Sequence, residues 1–334
     1  TPTWRPRHAA LAAALCLAVL VAIAHVAFRA QRLVLDAATP GLALLILFSA
    51  LLMLTLAEAT RQRKLLEREM QSQRERNARL AGELDAARQI QMAFLPDANQ
   101  LRGDARVDID AVMVPAREVG GDLYDFFRLD PRHLFLLVGD VAGKGLSASI
   151  FMAVSKALYK STTLRRHHED MGLLMSAANA EVSRDNPQMM FVTVFAGILD
   201  LDTGDLAYCN AGHENPYVVA PGDNSVGMID EGGGPPLCAI DRFAYRGARY
   251  QLRPGELLCI VSDGVTEARN RAGELFGRNR VGEELFGLRD RPLNAREAVS
   301  TLRQQVDAFV DGAEPVDDLT ILALRWFGRK PRET

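Results

Sequence analysis

The sequence has almost no excess charge of either sign: 39 Lys and Arg stand against 42 Asp and Glu, a net charge of −3. Without a basic stripe, nucleic-acid binding has no electrostatic footing. Cysteine is scarce, and Cys16, Cys209, Cys238 and Cys259 form no C-x-x-C pair. That excludes a disulfide scaffold, a zinc ribbon and a thioredoxin-type redox site, and the thiols read as packing residues rather than nucleophiles. Gly143, Lys144 and Gly145 lack the rest of a G-x-x-x-x-G-K-[ST] loop, so nucleotide binding does not follow. A charged fraction of 24% excludes a disordered chain. Yet the mean hydropathy of −0.02 is high for a soluble protein, and its source is local, in residues 1–57.

Residues 9–28 carry no Asp, Glu, Lys or Arg, and His25 is their one basic side chain. At 1.5 Å per residue such a run spans about 30 Å, the thickness of bilayer hydrocarbon. Residues 41–57 form a second uncharged run, joined to the first by a short stretch that closes with Pro40 and Gly41. The pair predicts a transmembrane hairpin; the alternative is a cleaved signal peptide followed by one span. Arg5 and Arg7 flank the first run, and Arg61, Arg63, Lys64 and Arg68 follow the second. This bias predicts a multi-pass protein of the cytoplasmic membrane with both termini in the cytoplasm. The connection is too short for an external sensor domain.

Residues 58–96 read as a helical linker that Pro96 ends. Leu66, Met70, Gln73, Asn77, Leu80, Leu84, Ala87, Gln91 and Phe94 recur at spacings of three and four, an imperfect seam. One reading is a parallel two-stranded coiled coil, hence a homodimer, coupling membrane to enzyme. The other is a single amphipathic helix packed on the domain that follows.

From Val107 the texture changes to short apolar runs: 107–114, 133–141, 190–201 and 257–265, with helical stretches at 147–167 and 295–310. Paired strands with helices segregated outside them predict an α+β domain over 97–328, built on packed antiparallel sheets. Its acidic residues are placed unusually. Asp122 follows two glycines, Asp140 and Asp263 close apolar runs, and Asp317 and Asp318 open another. Singly, each reads as a turn residue. Together, at strand ends beside glycines, they suit a hard cation such as Mg²⁺ or Mn²⁺.

At these residues a resemblance becomes specific. ARQIQMAFLP (87–96), PAREVGGDLYDFF (115–127), GDVAGKGLSASIFMA (139–153), FVTVFAGILDLDTGDLAYCNAGHENPYVV (191–219), GELLCIVSDGVTEARN (255–270) and DDLTILAL (317–324) occur in family order. The chain resembles the SpoIIE/RsbU branch of the PPM (protein phosphatase 2C-like) serine/threonine phosphatases. The resemblance implies two packed antiparallel sheets flanked by helices, with two Mn²⁺ or Mg²⁺ ions at one end. It implies a ligand set of Asp122, Asp140, the Val141 carbonyl, Asp263 and Asp317, with Asp318 ranked below Asp317. Arg117 falls where some relatives bind phosphate, and Asn210 and His213 lie in a family string where a structural turn competes with a role near substrate. Asp125 reads as support for the loop.

The implied reaction is metal-dependent hydrolysis of a phosphoserine or phosphothreonine ester. The implied substrate is a phosphorylated STAS-domain anti-anti-sigma protein. A diguanylate cyclase would need acids where Leu123 and Tyr124 stand. A sensor histidine kinase would use the His167–His168 pair but lacks its nucleotide boxes. A pseudophosphatase acting as a binding module would not need the acidic set.

Overall fold

A computed structural model of the chain describes residues 6–31, 38–101, 103–166, 170–184, 186–223, 225–289 and 294–328. His167 and His168 lie outside the described residues. The chain divides into two units, Thr1–Ala81 and Gly82–Thr334.

The first unit holds α1 (Pro6–Gln31) and most of α2 (Ala38–Ala93). The second apolar run and the linker are one continuous helix of 56 residues, without a break between them. Pro40 sits in its first turn, where a missing N–H costs nothing. The helix ends at Ala93, before Pro96. Thr39–Ala93 is long and apolar enough to cross a membrane, and the apolar stretch Ala14–Ala30 of α1 is shorter. Leu45, Ile46, Leu47, Met53 and Leu54 are exposed. So large an apolar surface calls for lipid or another protein around it. In this unit the linker positions Leu66, Met70 and Leu80 are exposed as well.

The second unit is a four-layer α/β/β/α domain. One sheet has the order β1 (Val107–Val114), β10 (Leu319–Trp326), β9 (Leu257–Val261), β6 (Tyr217–Val219), β7 (Gly227–Met228). The other runs β2 (Leu123–Arg128), β3 (His133–Val141), β4 (Val192–Asp200), β5 (Asp205–Ala211), β8 (Ala248–Gln251). All pairings between these strands are antiparallel. This is the expected α+β architecture.

Why β3 is apolar throughout follows from the layers. Leu134, Leu136 and Val138 pack with Phe195, Ile260 and Leu322 between the sheets. Phe135 and Leu137 face the other way, into a core with α3 (Leu146–Arg166) and α4 (Met171–Arg184). A sheet covered on both faces has no polar alternation to show. Beneath the other sheet, Cys259, Val261, Ile321 and Ala323 pack on α6 (Gly277–Gly287) and α7 (Ala295–Val310). Asn294 and Glu297 close a capping box at the start of α7.

Candidate metal centre

The strand register brings the acidic residues to one end of the two sheets. Leu123 pairs with Gly139, so one step further along the same antiparallel register Asp122 faces Asp140. Ile321 pairs with Val261, and Ser262 N–H donates to the Thr320 carbonyl at 3.0 Å. The turn after β9 therefore lies beside the segment that leads into β10. Asp263 does not close its strand: it begins a short helix, α5 (Asp263–Thr266). Gly264 lets that turn approach, since a Cβ there would stand 1.9 Å from the Asp318 carbonyl oxygen.

Asp122 is 1% exposed, and its Oδ2 has no hydrogen-bond partner among the described residues. Burial, then the charges of Asp140 and Asp318, hold its carboxyl well above the usual carboxylate range. Burial pushes Asp140 up to about 7, with Asp263, Asp317 and Asp318 adding repulsion. Burial and then Asp317 push Asp263 up to about 6, and its Oδ1 is also buried without a partner. These carboxylates are crowded against one another. A cluster with unused, buried oxygens is a poor structural device and a good receptor for divalent cations. The Val141 carbonyl stays clear because Gly121 beside it has no side chain; a Cβ there would come within 2.9 Å of that oxygen. Among the described residues no group of three or more His, Cys, Asp or Glu side chains is arranged as it stands to hold a metal ion.

Asp317 and Asp318 behave differently. Asp317 is half-buried and pairs with Lys144, Oδ2 to Nζ at 2.8 Å, and Lys144 also donates to the Val316 carbonyl. Asp318 is buried and spends both oxygens on backbone. Its Oδ1 accepts from Ala116 N at 2.7 Å; its Oδ2 accepts from Gly121 N at 2.5 Å and Asp122 N at 3.4 Å. Asp318 thus shapes the loop that carries Asp122.

The remaining candidates scatter. Arg117 is exposed on the 115–122 loop. Asn210 holds a turn: its side chain accepts from His213 N at 2.8 Å and donates to the His213 carbonyl at 3.0 Å. His213 is buried, with Nδ1 3.0 Å from Thr193 Oγ1, and burial lowers its pKa to about 4. Asp125 lies 3.6 Å from Lys156 Nζ and 3.8 Å from Lys160 Nζ, a supporting pair behind the loop. Cys209 and Cys259 are buried, and burial pushes both thiols up to about 12. They pack and do not react.

Sequence reading missed Gln91. Placed in the linker seam, it is instead buried in the second unit, bonded to Gly120. No local pattern marks such a contact, 29 residues away along the chain.

Residues 130–327 match the family model described as Stage II sporulation protein E (SpoIIE). Protein IcfG of Synechocystis is 31% identical over 274 residues, covering 72% of this chain and 41% of its own. Phosphoserine phosphatase RsbU of Bacillus subtilis is 28% identical over 196 residues, 59% of this chain and 57% of its own. The chain spans about half the length of the curated relatives it matches. Among solved structures, the SiaA-PP2C domain of Pseudomonas aeruginosa superposes with a TM-score of 0.65 at 20% identity, covering 75% of this chain and 98% of that one. At that identity the likeness is one of fold.

Proposed function

Since the chain belongs to the SpoIIE family and has its PP2C-like fold, we propose that it is a membrane-anchored, metal-dependent protein serine/threonine phosphatase. One observation carries the reading: Asp140, half-buried, is repelled by Asp263 and stands opposite the buried Asp122, and Asp122 and the half-buried Asp263 each keep a buried oxygen without a hydrogen-bond partner among the described residues. Asp122, Asp140, Asp263, Asp317 and the Val141 carbonyl would hold two Mn²⁺ or Mg²⁺ ions. When bound, such ions polarise a phosphoryl oxygen and lower the pKa of water. The protein's part is to place that chemistry. Lys144 steers Asp317 from outside, Asp318 fixes the loop, and Arg117, exposed at the surface, would meet the phosphate. His213 stays neutral at physiological pH, which suits a turn residue and not a resident acid.

RsbU carries the name phosphoserine phosphatase, which supports a phosphoserine or phosphothreonine protein as substrate here. A phosphorylated STAS-type anti-anti-sigma regulator is our candidate within that class. The apolar α1 and the start of α2 support a hairpin anchor in the cytoplasmic membrane, with the domain on the cytoplasmic side. The exposed linker positions support a homodimer through α2. A helix running unbroken from an apolar segment to a catalytic domain can transmit a rotation, whereas a Gly/Ser linker would lose it.

The test is phosphate release from a phosphoserine protein by residues 82–334, with Mn²⁺, with Mg²⁺ and after chelation. Turnover is expected only with metal. Equal turnover in excess chelator refutes the metal-centre reading. The dimer reading is tested separately, by inserting four residues after Gly82 in the full chain; unchanged activity and oligomeric state would reduce α2 to a spacer.

A further inference from the structure

We propose that Gln91 is a positioning residue for the acidic centre: it holds the Gly120 peptide so that Asp122 stands opposite Asp140. The proposal rests on the metal-centre reading above and adds a residue outside the acidic set. Gln91 is 4% exposed, while its neighbours Ile90 and Met92 on α2 are exposed. A primary amide buried that deeply needs partners. Its Nε2 donates to the Gly120 carbonyl at 2.7 Å, and its Oε1 accepts from Gly120 N at 3.1 Å. One side chain thereby satisfies both backbone groups of one residue, as a neighbouring strand would.

The place where this happens matters. Gly120 and Gly121 immediately precede Asp122, and two successive glycines leave the chain its greatest backbone freedom. Something must restrict it if Asp122 is to have one position. Asp318 grips from one side, through Gly121 N and Asp122 N. Gly120 cannot acquire a side chain of its own for the purpose, because a Cβ there would stand 2.4 Å from Asp318 Oδ2. The remaining hold on Gly120 comes from Gln91. A second tether acts on the same helix end: Lys156 Nζ donates to the Phe94 carbonyl at 2.5 Å and to the Tyr124 carbonyl at 3.2 Å. Tyr124 belongs to β2, the strand that Asp122 leads into. The end of α2 is thus fastened to the backbone on both sides of Asp122. Gln91 reaches no acidic oxygen itself; it acts through the Gly120 peptide.

The experiment uses the full chain in detergent micelles, with Gln91→Met and Gln91→Asn. The first keeps volume and loses both hydrogen bonds; the second keeps the amide one methylene too short to reach. Mn²⁺ binding is measured by calorimetry, thermal unfolding in chelator, and kcat and KM on a phosphoserine protein. Both variants are expected to fold, to bind Mn²⁺ at least tenfold more weakly than wild type, and to keep KM within twofold at saturating metal. Mn²⁺ affinity within twofold of wild type, whatever the change in unfolding temperature, overturns the proposal and leaves Gln91 a packing residue. Loss of fold in both variants also overturns it, in favour of a purely structural role. A wild-type chain that binds no Mn²⁺ refutes the metal centre itself and this inference with it.

Discussion

Asp317 and Asp318 are adjacent, identical in chemistry, and expected to fail in opposite ways. Asp318 is 6% exposed and accepts two short backbone hydrogen bonds, from Ala116 N at 2.7 Å and Gly121 N at 2.5 Å. In Asp318→Asn one oxygen becomes an NH₂ group, which must face one of those N–H donors. Hydrogen bonds to a charged acceptor contribute about 1.5–3 kcal/mol each, and a buried donor left unpaired costs a similar amount. A loss of about 3 kcal/mol is therefore expected. In a domain of this size that lowers Tm by about 6–12 °C. Asp317→Asn gives up the ion pair with Lys144, whose side chains are 35% and 30% exposed, while its amide oxygen can still accept the 3.0 Å bond from Asp318 N. Such a pair contributes about 0–1 kcal/mol, so its Tm moves by less than about 4 °C. Its turnover, by contrast, should fall steeply, because it removes a ligand charge. The assay is thermal unfolding of residues 82–334 by circular dichroism in chelator, which removes any stabilisation by metal binding, alongside metal-saturated turnover. Equal Tm values for the two variants would refute the division of labour drawn between these residues.

Asp140→Asn and Asp263→Asn should each cost about a thousandfold in turnover, the equivalent of about 4 kcal/mol of transition-state stabilisation. Both should also raise Tm in chelator, since each removes a charge that its neighbours repel; an unchanged or lower Tm counts against the crowding. His213 titrates near 4 in the fold against an ordinary value of 6.5. Its folded pKa is depressed, so its contribution to stability is complete above about pH 6.5 and is lost as pH falls toward 4. A His213→Gln variant should show a flatter stability profile across that window, read by denaturant unfolding at stepped pH. Gly264→Ala would set a methyl 1.9 Å from a backbone carbonyl oxygen that cannot step aside; the expected result is a misfolded or strongly destabilised domain, judged by soluble yield and Tm.

The strands were legible where burial leaves a local mark. The expected 107–114 and 133–141 coincide with β1 and β3 because uninterrupted apolar runs end abruptly at turns. Asp263 was harder to place, since LCIVSDGV continues apolar through a strand that stops at Val261 and a helical turn that begins two residues later. The linker seam misled at its lower end for a general reason. A polar residue at a seam position reads the same whether another copy or the chain's own domain covers it, and Gln91 finds its partner in a backbone peptide that has no sequence signature. The Asp317–Asp318 distinction, however, was written in the pattern. Along β10, Leu322 and Leu324 face the space between the sheets, while Ile321 and Ala323 face α7. With a period of two, Asp318 shares the face of Leu322 and Leu324, and Asp317 the face of Ile321 and Ala323. A carboxylate on the inter-sheet face, at the open end of both sheets, meets the N–H groups of the 115–122 link between β1 and β2. Its neighbour, one residue earlier, emerges on the other side, where Lys144 meets it. Strand alternation thus separates the acid that shapes the loop from the acid left available at the rim.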